Sequence, residues 1–285
     1  MSKRLLTKIC LFVLITTTVT HAAPVRLATV ASLEGLGEAW SQNSGLEVSI
    51  EISDRETAIR MVAGEKADYA LIPGELTSSH SALLAGQLGR RAIVEPVGWS
   101  AVTFIVHPEN PLPAIDHRLA TLLLSATDCP EVTQTVSDWQ DVHGGSIDLA
   151  GPIELVAPAR GSWRWRSIEA MCLKGCNLRG DTLTYSSEAA VERRVTRERT
   201  ALGLVQRPRY IGLARMLPVW GADNRQATVP SSQSLADGAY PFGRRIVLLS
   251  NRRFASYTPQ GKFRDYALSA SGQRDVARLG LYSLR

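Results

Sequence analysis

The chain has 285 residues, with 32 Lys and Arg against 27 Asp and Glu and a formal net charge of +5. Three of the cations, Lys3, Arg4 and Lys8, stand before an apolar run from Ile9 to Val19, so the rest of the chain carries only about +2. Near-neutrality, and arginines interleaved with acids as in VERRVTRER (residues 191–199), argue against a nucleic-acid surface, and no later run approaches the roughly 20 apolar residues of a membrane span.

Taken in chain order, the positively charged start, the short apolar run and the small residues Ala22 and Ala23 predict a secretory signal peptide over residues 1–22. Residues 23–285 are then an exported chain. Strand and helix alternate from Val25: VRLATV, a helix through SLEGLGEAWSQN with Ser32 placed to cap it, and LEVSIEI with Leu46, Val48, Ile50 and Ile52 at period two. The helix DRETAIRMVAG, the strand DYALI and the helix SALLAGQLG follow, with Gly45 and Gly64 at turns. Residues 91–107 read as one extended run, and a loop with three prolines (residues 108–116) closes this first set.

A second set runs through HRLATLLLS, IELVA, a helix opening at Ser162, LTY, a helix at Glu188 and ALGLV. AYPFGRRIVLLSN is again extended, and the helices PQGKFRDYALSA and GQRDVARLG end the chain. The charged run at 191–199 is expected on a solvated helix face. Such β-α-β alternation predicts an α/β fold of mainly parallel sheets flanked by helices. The chain leaves the first unit near residue 100 and returns near residue 243. That predicts a hinged body of two lobes, 23–100 plus 244–285 and 101–243, joined by two crossover strands. Ligands of open parallel sheets lie beyond the C-terminal strand ends, so the helix starts at Ser32, at residues 53–57 and at Ser162 are candidate cleft walls.

The densest chemistry is Arg160-Gly161-Ser162-Trp163-Arg164-Trp165-Arg166. A Gly-Ser turn opening a helix aims free N–H groups and the positive dipole end at one spot, and guanidinium groups suit bidentate grip of phosphate or carboxylate. Arg164 and Arg166 lie about 200° apart on a helix, so one of them faces solvent or stacks on Trp163 or Trp165. Arg160 and Arg164 are the cleft candidates. Of the cysteines, Cys129, Cys172 and Cys176 follow the signal segment, and an oxidising compartment can pair two of them. Cys172 and Cys176 are near in sequence but poorly directed for bridging along a regular helix, unless Gly175 ends it. The pairing stays open. His80, His107, His117 and His143 show no ligand spacing, so neither a metal nor another cofactor is expected.

Tyr240, Pro241 and Arg244 are followed by IVLLSN, then by Leu268, Ser269, Gly272, Gln273 and Gly280. In these residues the C-terminal region resembles the phosphate-type periplasmic substrate-binding proteins of ABC transporters, and Trp40 and Trp139 also stand at family-like places. The resemblance covers essentially all of residues 23–285. It implies a two-lobe periplasmic-binding-protein fold of the type II (Venus-flytrap) kind, a periplasmic monomer, no catalysis, and capture of a small inorganic anion, phosphate first, or a small organic anion, for an inner-membrane ABC permease. Carried over position by position, it assigns Ser32 in the first loop, Ser53 in the second, Asp68 as acceptor from a protonated anion, and Gly161 and Ser162 in the lobe-two turn. Asp54, Arg55 and Glu56 replace the glycine-rich part of the second loop. Trp163 and Arg164 replace Gly and Thr, which makes Arg164 a substitute donor. Asp54 and Glu56 would repel an anion unless they point outward or pair with Arg55. The alternative is a degenerate anion site on the same fold, serving signalling or envelope interactions. Enzyme motifs, a Gly-x-Ser-x-Gly elbow, a His-Glu-x-x-His helix or a P-loop, do not occur in the sequence.

Overall fold

Apolar side chains that alternate along short strands build two mixed sheets, each sandwiched by helices. The computed structural model describes residues 23–88, 92–127, 129, 130, 132, 135–145, 148–173, 175–208, 213–221 and 226–284. The expected signal peptide lies outside the described residues. Among them, no helix is long and apolar enough to cross a membrane.

In the first lobe, β1 (Val25–Thr29), α1 (Glu34–Ser44), β2 (Val48–Ile52), α2 (Arg55–Ala63), β3 (Tyr69–Pro73), α3 (Ser78–Leu88) and β4 (Ile93–Ala101) follow in order. The second lobe holds β5 (Thr103–Val106), α4 (His117–Leu124), a 3₁₀ stretch Trp139–Gly145, β6 (Glu154–Pro158), α5 (Trp163–Cys172), β7 (Leu183–Tyr185), α6 (Glu188–Val195) and β8 (Ala201–Val205). The short strands β9 (Arg215–Met216), β10 (Val219–Trp220) and β11 (Ala227–Thr228) and the helix α7 (Ser232–Ala236) complete it. The chain then returns through β12 (Gly243–Ser250) to α8 (Pro259–Leu268) and α9 (Ala270–Arg278).

The first sheet has the order β2-β1-β3-β12-β4 and the second β7-β6-β8-β5-β9. β1 is parallel to β2 and β3, whereas β12 runs antiparallel to β3 and β4. The second sheet repeats this plan, with β6 parallel to β7 and β8 and β5 antiparallel to β8 and β9. Period-two alternation divides the first lobe's core between its sheet faces. Val25, Leu27, Leu71, Ile246 and Leu248 pack with Trp40, Phe263 and Val276, while Ala28, Ala70, Ile72, Val247 and Leu249 pack with Ile59 and Val62. Phe104, Leu155, Leu202 and Trp165 centre the main core of the second lobe.

The lobes meet where β4 passes through Val102 into β5 and where Phe242 leads into β12. The Val102 N–H donates to Phe242 O at 2.9 Å, and the Tyr240 hydroxyl donates to Val102 O at 2.6 Å. A third strap is the C-terminal segment. Trp99 and Tyr282 exchange backbone hydrogen bonds of 2.8 and 2.9 Å. Leu281 packs into the first lobe's core and Tyr282 into the second's.

Two local expectations are corrected, and the cysteine pairing that the sequence left open is seen. α1 begins one residue later than a Ser32 cap requires: Leu33 occupies the cap position, with no side-chain cap bond. The acid-base run of α6 is not simply a solvated face, because Arg194 forks onto Glu154 with Nε and Nη2 each 2.5 Å from a carboxylate oxygen, and Glu192 is buried. The disulfide joins Cys129 to Cys176, with Cα atoms 5.4 Å apart, and leaves Cys172 free and buried in α5.

Candidate functional site

The cleft lies at the C-terminal ends of β1, β3 and β8, where the two lobes face each other, as expected for an open α/β sheet. It has three adjoining compartments. The central one has a volume of only about 30 Å³ and is bounded by Ser32, Pro73, Ser100, Trp163, Gln206 and Arg244, among others. To one side lies a cavity of about 390 Å³ between Ser32, Glu34 and Glu38 of the first lobe and Trp163 and Arg164 of the second. On the other side a cavity of about 500 Å³ is framed by Arg55, Gly74, Glu75, Trp99, Arg244 and Arg245. Trp163 and Arg244 separate the outer cavities. The first carries two acids beside its arginine; the second carries three arginines and one acid, the exposed Glu75.

Two of the three arginines, Arg55 and Arg244, are positioned by backbone carbonyls. Arg55 opens α2, donates from Nε to Pro73 O at 3.0 Å and from Nη2 to Glu75 O, and also meets Glu56 at 3.2 Å. Arg244 leaves β12 at the hinge and reaches the second lobe, where Nη2 donates to Ala170 O of α5 at 2.6 Å. Burial, and then the neighbouring Arg55 charge, pull its pKa below the ordinary arginine value. Among the described residues no carboxylate pairs with it. Arg245 lies over the Trp99 ring, 5.1 Å from its centroid, and approaches Glu75 at 3.6 Å; its Nε is buried without a hydrogen-bond partner. Two cations held close in a cleft that lacks an equal number of acids favour an anion between them.

The residues named from the sequence divide. Ser32 and Arg164 line the cleft. Arg164, however, already faces an internal carboxylate: Nε lies 3.6 Å from the buried Glu188, whose Oε1 accepts the Gln206 N–H at 2.7 Å, and its guanidinium stacks on Trp163 at 4.4 Å. Gly161 supplies the left-handed turn, φ 73°, that opens α5, a conformation in which a Cβ would be strained. Ser162 spends its hydroxyl as the α5 cap, accepting the Trp165 N–H at 3.2 Å. Arg160 is exposed, stacks on Trp165 at 4.7 Å and donates to Gly180 O. Ser53 bonds only to backbone carbonyls, its hydroxyl to the adjacent Asp54 O and its N–H to Thr29 O at the end of β1. None of Ser53, Arg160, Gly161 and Ser162 is among the residues that line the three compartments.

Asp68 is a correction. It precedes β3, at the end of the sheet away from the cleft, about 16 Å along the strand from Pro73. There it is buried and bound by Arg26: one carboxylate oxygen accepts the guanidinium at 2.8 Å and the other accepts the backbone N–H at 3.0 Å. It faces no anion because its lone pairs are already taken. Asp54 and Glu56 are likewise occupied. Asp54 caps α2 by accepting the Thr57 N–H at 2.9 Å, and Glu56 meets His80 at 2.6 Å as well as Arg55. That leaves the cleft free of both charges.

Residues 28–269 match the family model of the PBP superfamily domain. The chain belongs to the PBP superfamily. Solved structures of similar fold include a possible phosphate binding protein from Planctomyces limnophilus (TM-score 0.74, 16% identity, 93% of this chain and 94% of that one). They also include an ABC-type phosphate transport receptor from Vibrio cholerae (0.64, 15%, 90% and 99%) and PstS from Borrelia burgdorferi (0.65, 17%, 92% and 98%). At such identities the likeness establishes the two-lobe fold. No curated protein sequence matches the chain.

Within this PBP superfamily member, Arg55, Arg244, Arg245 and Trp99 were not foreseen as site residues. Arg244 had a signal, since it follows the Tyr240-Pro241 pair. Arg245 is its neighbour on β12, and Arg55 and Trp99 are brought to it by two other chain segments, the start of α2 and β4, that share no sequence pattern.

Proposed function

We propose that the protein is a periplasmic solute-binding protein that takes an anion, phosphate or a related one, into the interlobe cleft and presents it to an ABC importer. The observation that carries this reading is Arg244, partly buried between the lobes, beside Arg55, with no carboxylate partner among the described residues. A protein gains nothing in stability from burying a cation next to another cation. It gains a ligand site. Calorimetric titration of the purified protein with phosphate, sulfate, molybdate and a panel of small organic anions tests the reading; heat from at least one is expected, and heat from none would overturn it.

A second reading has its own support. Trp163 stands in the central compartment where the family resemblance placed a glycine, and Asp68 is turned to another task. On that basis the fold would be kept for signalling or envelope interactions with a decayed anion site. It predicts silence in the titration, no change of scattering radius with any anion, and co-purification with an envelope protein.

A further inference from the structure

We propose that the ligand is an organic anion carrying two or more anionic groups, seated on Arg55, Arg244 and Arg245 beside Trp99, rather than a single inorganic oxyanion enclosed at the centre of the cleft. The inference rests on the anion-capture reading and specifies it. Three observations lead to it.

The centre of the cleft is too small. Its volume of about 30 Å³ has room for roughly two waters, and the Trp163 ring is one of its walls. The space lies instead on the arginine side, where about 500 Å³ falls within the range of small-molecule pockets, ~300–1,000 Å³.

Charge is distributed in the same way. The lobe-two arginine, Arg164, faces Glu188 across 3.6 Å with its own buried Nε making no hydrogen bond, but the cavity beside it also holds Glu34 and Glu38, three acids to one arginine. On the other side three guanidinium groups line the cavity with the exposed Glu75; Arg55 is paired with Glu56 at 3.2 Å, which leaves Arg244 and Arg245 to face one acid between them. One tetrahedral ion engages one or two such forks. Two forks side by side at the start of one strand, with a third guanidinium at a helix start, match charges that are separated within one molecule.

Hydrogen-bond capacity remains there too. Arg245 keeps a buried Nε without a partner, and the one partner found for Arg244 among the described residues is the Ala170 carbonyl. Trp99 adds an indole against which the carbon frame of an organic ligand can lie.

The test is isothermal titration of the purified protein with inorganic phosphate, sulfate, citrate and fructose 1,6-bisphosphate, repeated on R244Q, R245Q and, as a control of equal charge change, R253Q on the exposed rim of the first lobe. Citrate or the bisphosphate is expected to bind about tenfold or more tightly than phosphate, and R245Q to weaken that binding about tenfold while R253Q leaves it unchanged. R244Q also loses an interlobe bond, so R245Q decides the outcome if R244Q folds poorly. Tighter binding of inorganic phosphate than of either organic anion would overturn the inference and leave anion capture intact. Binding of the organic anions that is indifferent to both R244Q and R245Q would overturn the assigned site. Heat from none of the four would overturn this inference and, with the wider panel also silent, the anion-capture reading.

Discussion

Asp68 holds a charge in a buried setting, and what makes that tolerable is Arg26. Burial alone would raise its pKa, but the guanidinium, the backbone N–H and the charge of Arg26 together outweigh it and hold the carboxyl below the usual range. The contribution to stability is therefore complete above about pH 4, the unfolded value, and is lost as pH falls through the lower folded value. Asp68→Asn should destabilise the fold by about 1–3 kcal/mol at pH 7, with the gap from wild type shrinking at pH 3 and below. Urea unfolding at the two pH values measures it, and anion affinity should not move. Arg164 is the converse case, a residue picked for binding whose partner is Glu188. Its Ala variant removes one charge facing a buried carboxylate. It should lose about 1–2 kcal/mol of stability, discounted because Arg164 is partly exposed, and change anion affinity less than about threefold. A large loss of affinity at unchanged melting temperature would restore Arg164 to the site. Neither partnership was legible in the sequence, because Arg26 and Asp68 are 42 residues apart and pair only once β1 and β3 lie side by side.

At the scale of elements, the segment that carried the family resemblance is a packing device. Ser269 caps α9, Gln273 donates to Val97 O and Ala267 O, and Trp40 donates its indole N–H to Gly272 O at 3.2 Å. Gly272 is needed because a Cβ there would stand 2.2 Å from Tyr266 O in the last turn of α8. Gly272→Ala should cost about 1–3 kcal/mol, read as a lower midpoint in urea, without altering anion affinity. In the second lobe the Cys129–Cys176 bridge ties the loop after α4 to the end of α5 across 47 residues. Reduction should cost at most about 4 kcal/mol by the loop-entropy account, seen as a fall in melting temperature with reductant. Cys172 should stay unreactive towards thiol reagents in the folded state, since burial pushes its thiol pKa up. The alternation of strands and helices was readable because it needs only local periodicity. The start of α1 was not, since Leu33 reaches the cap position through burial rather than through capping chemistry. Nor was the disulfide, whose choice among three cysteines depends on how α4 and α5 pack.

For the whole molecule, the two-lobe plan follows from where the chain crosses at Val102 and Phe242, and the extended runs on both sides already announced it. The proposed binding surface could not be announced that way. Arg55, Trp99 and Arg245 converge only when α2, β4 and β12 are assembled, so no window of sequence contains them together. Yet their convergence gives the cleft a polarity, with arginines on one side and Glu34 and Glu38 on the other. That polarity acts before any contact is made. A field of one sign at the arginine side draws anions in over roughly a Debye length, about 8 Å at physiological ionic strength. Stopped-flow association of a bound anion should therefore slow several-fold between about 20 and 300 mM salt, while dissociation changes little; equal sensitivity of both rates would argue against it. In a dilute medium, the asymmetry of the cleft would govern how fast the protein fills rather than how tightly it holds.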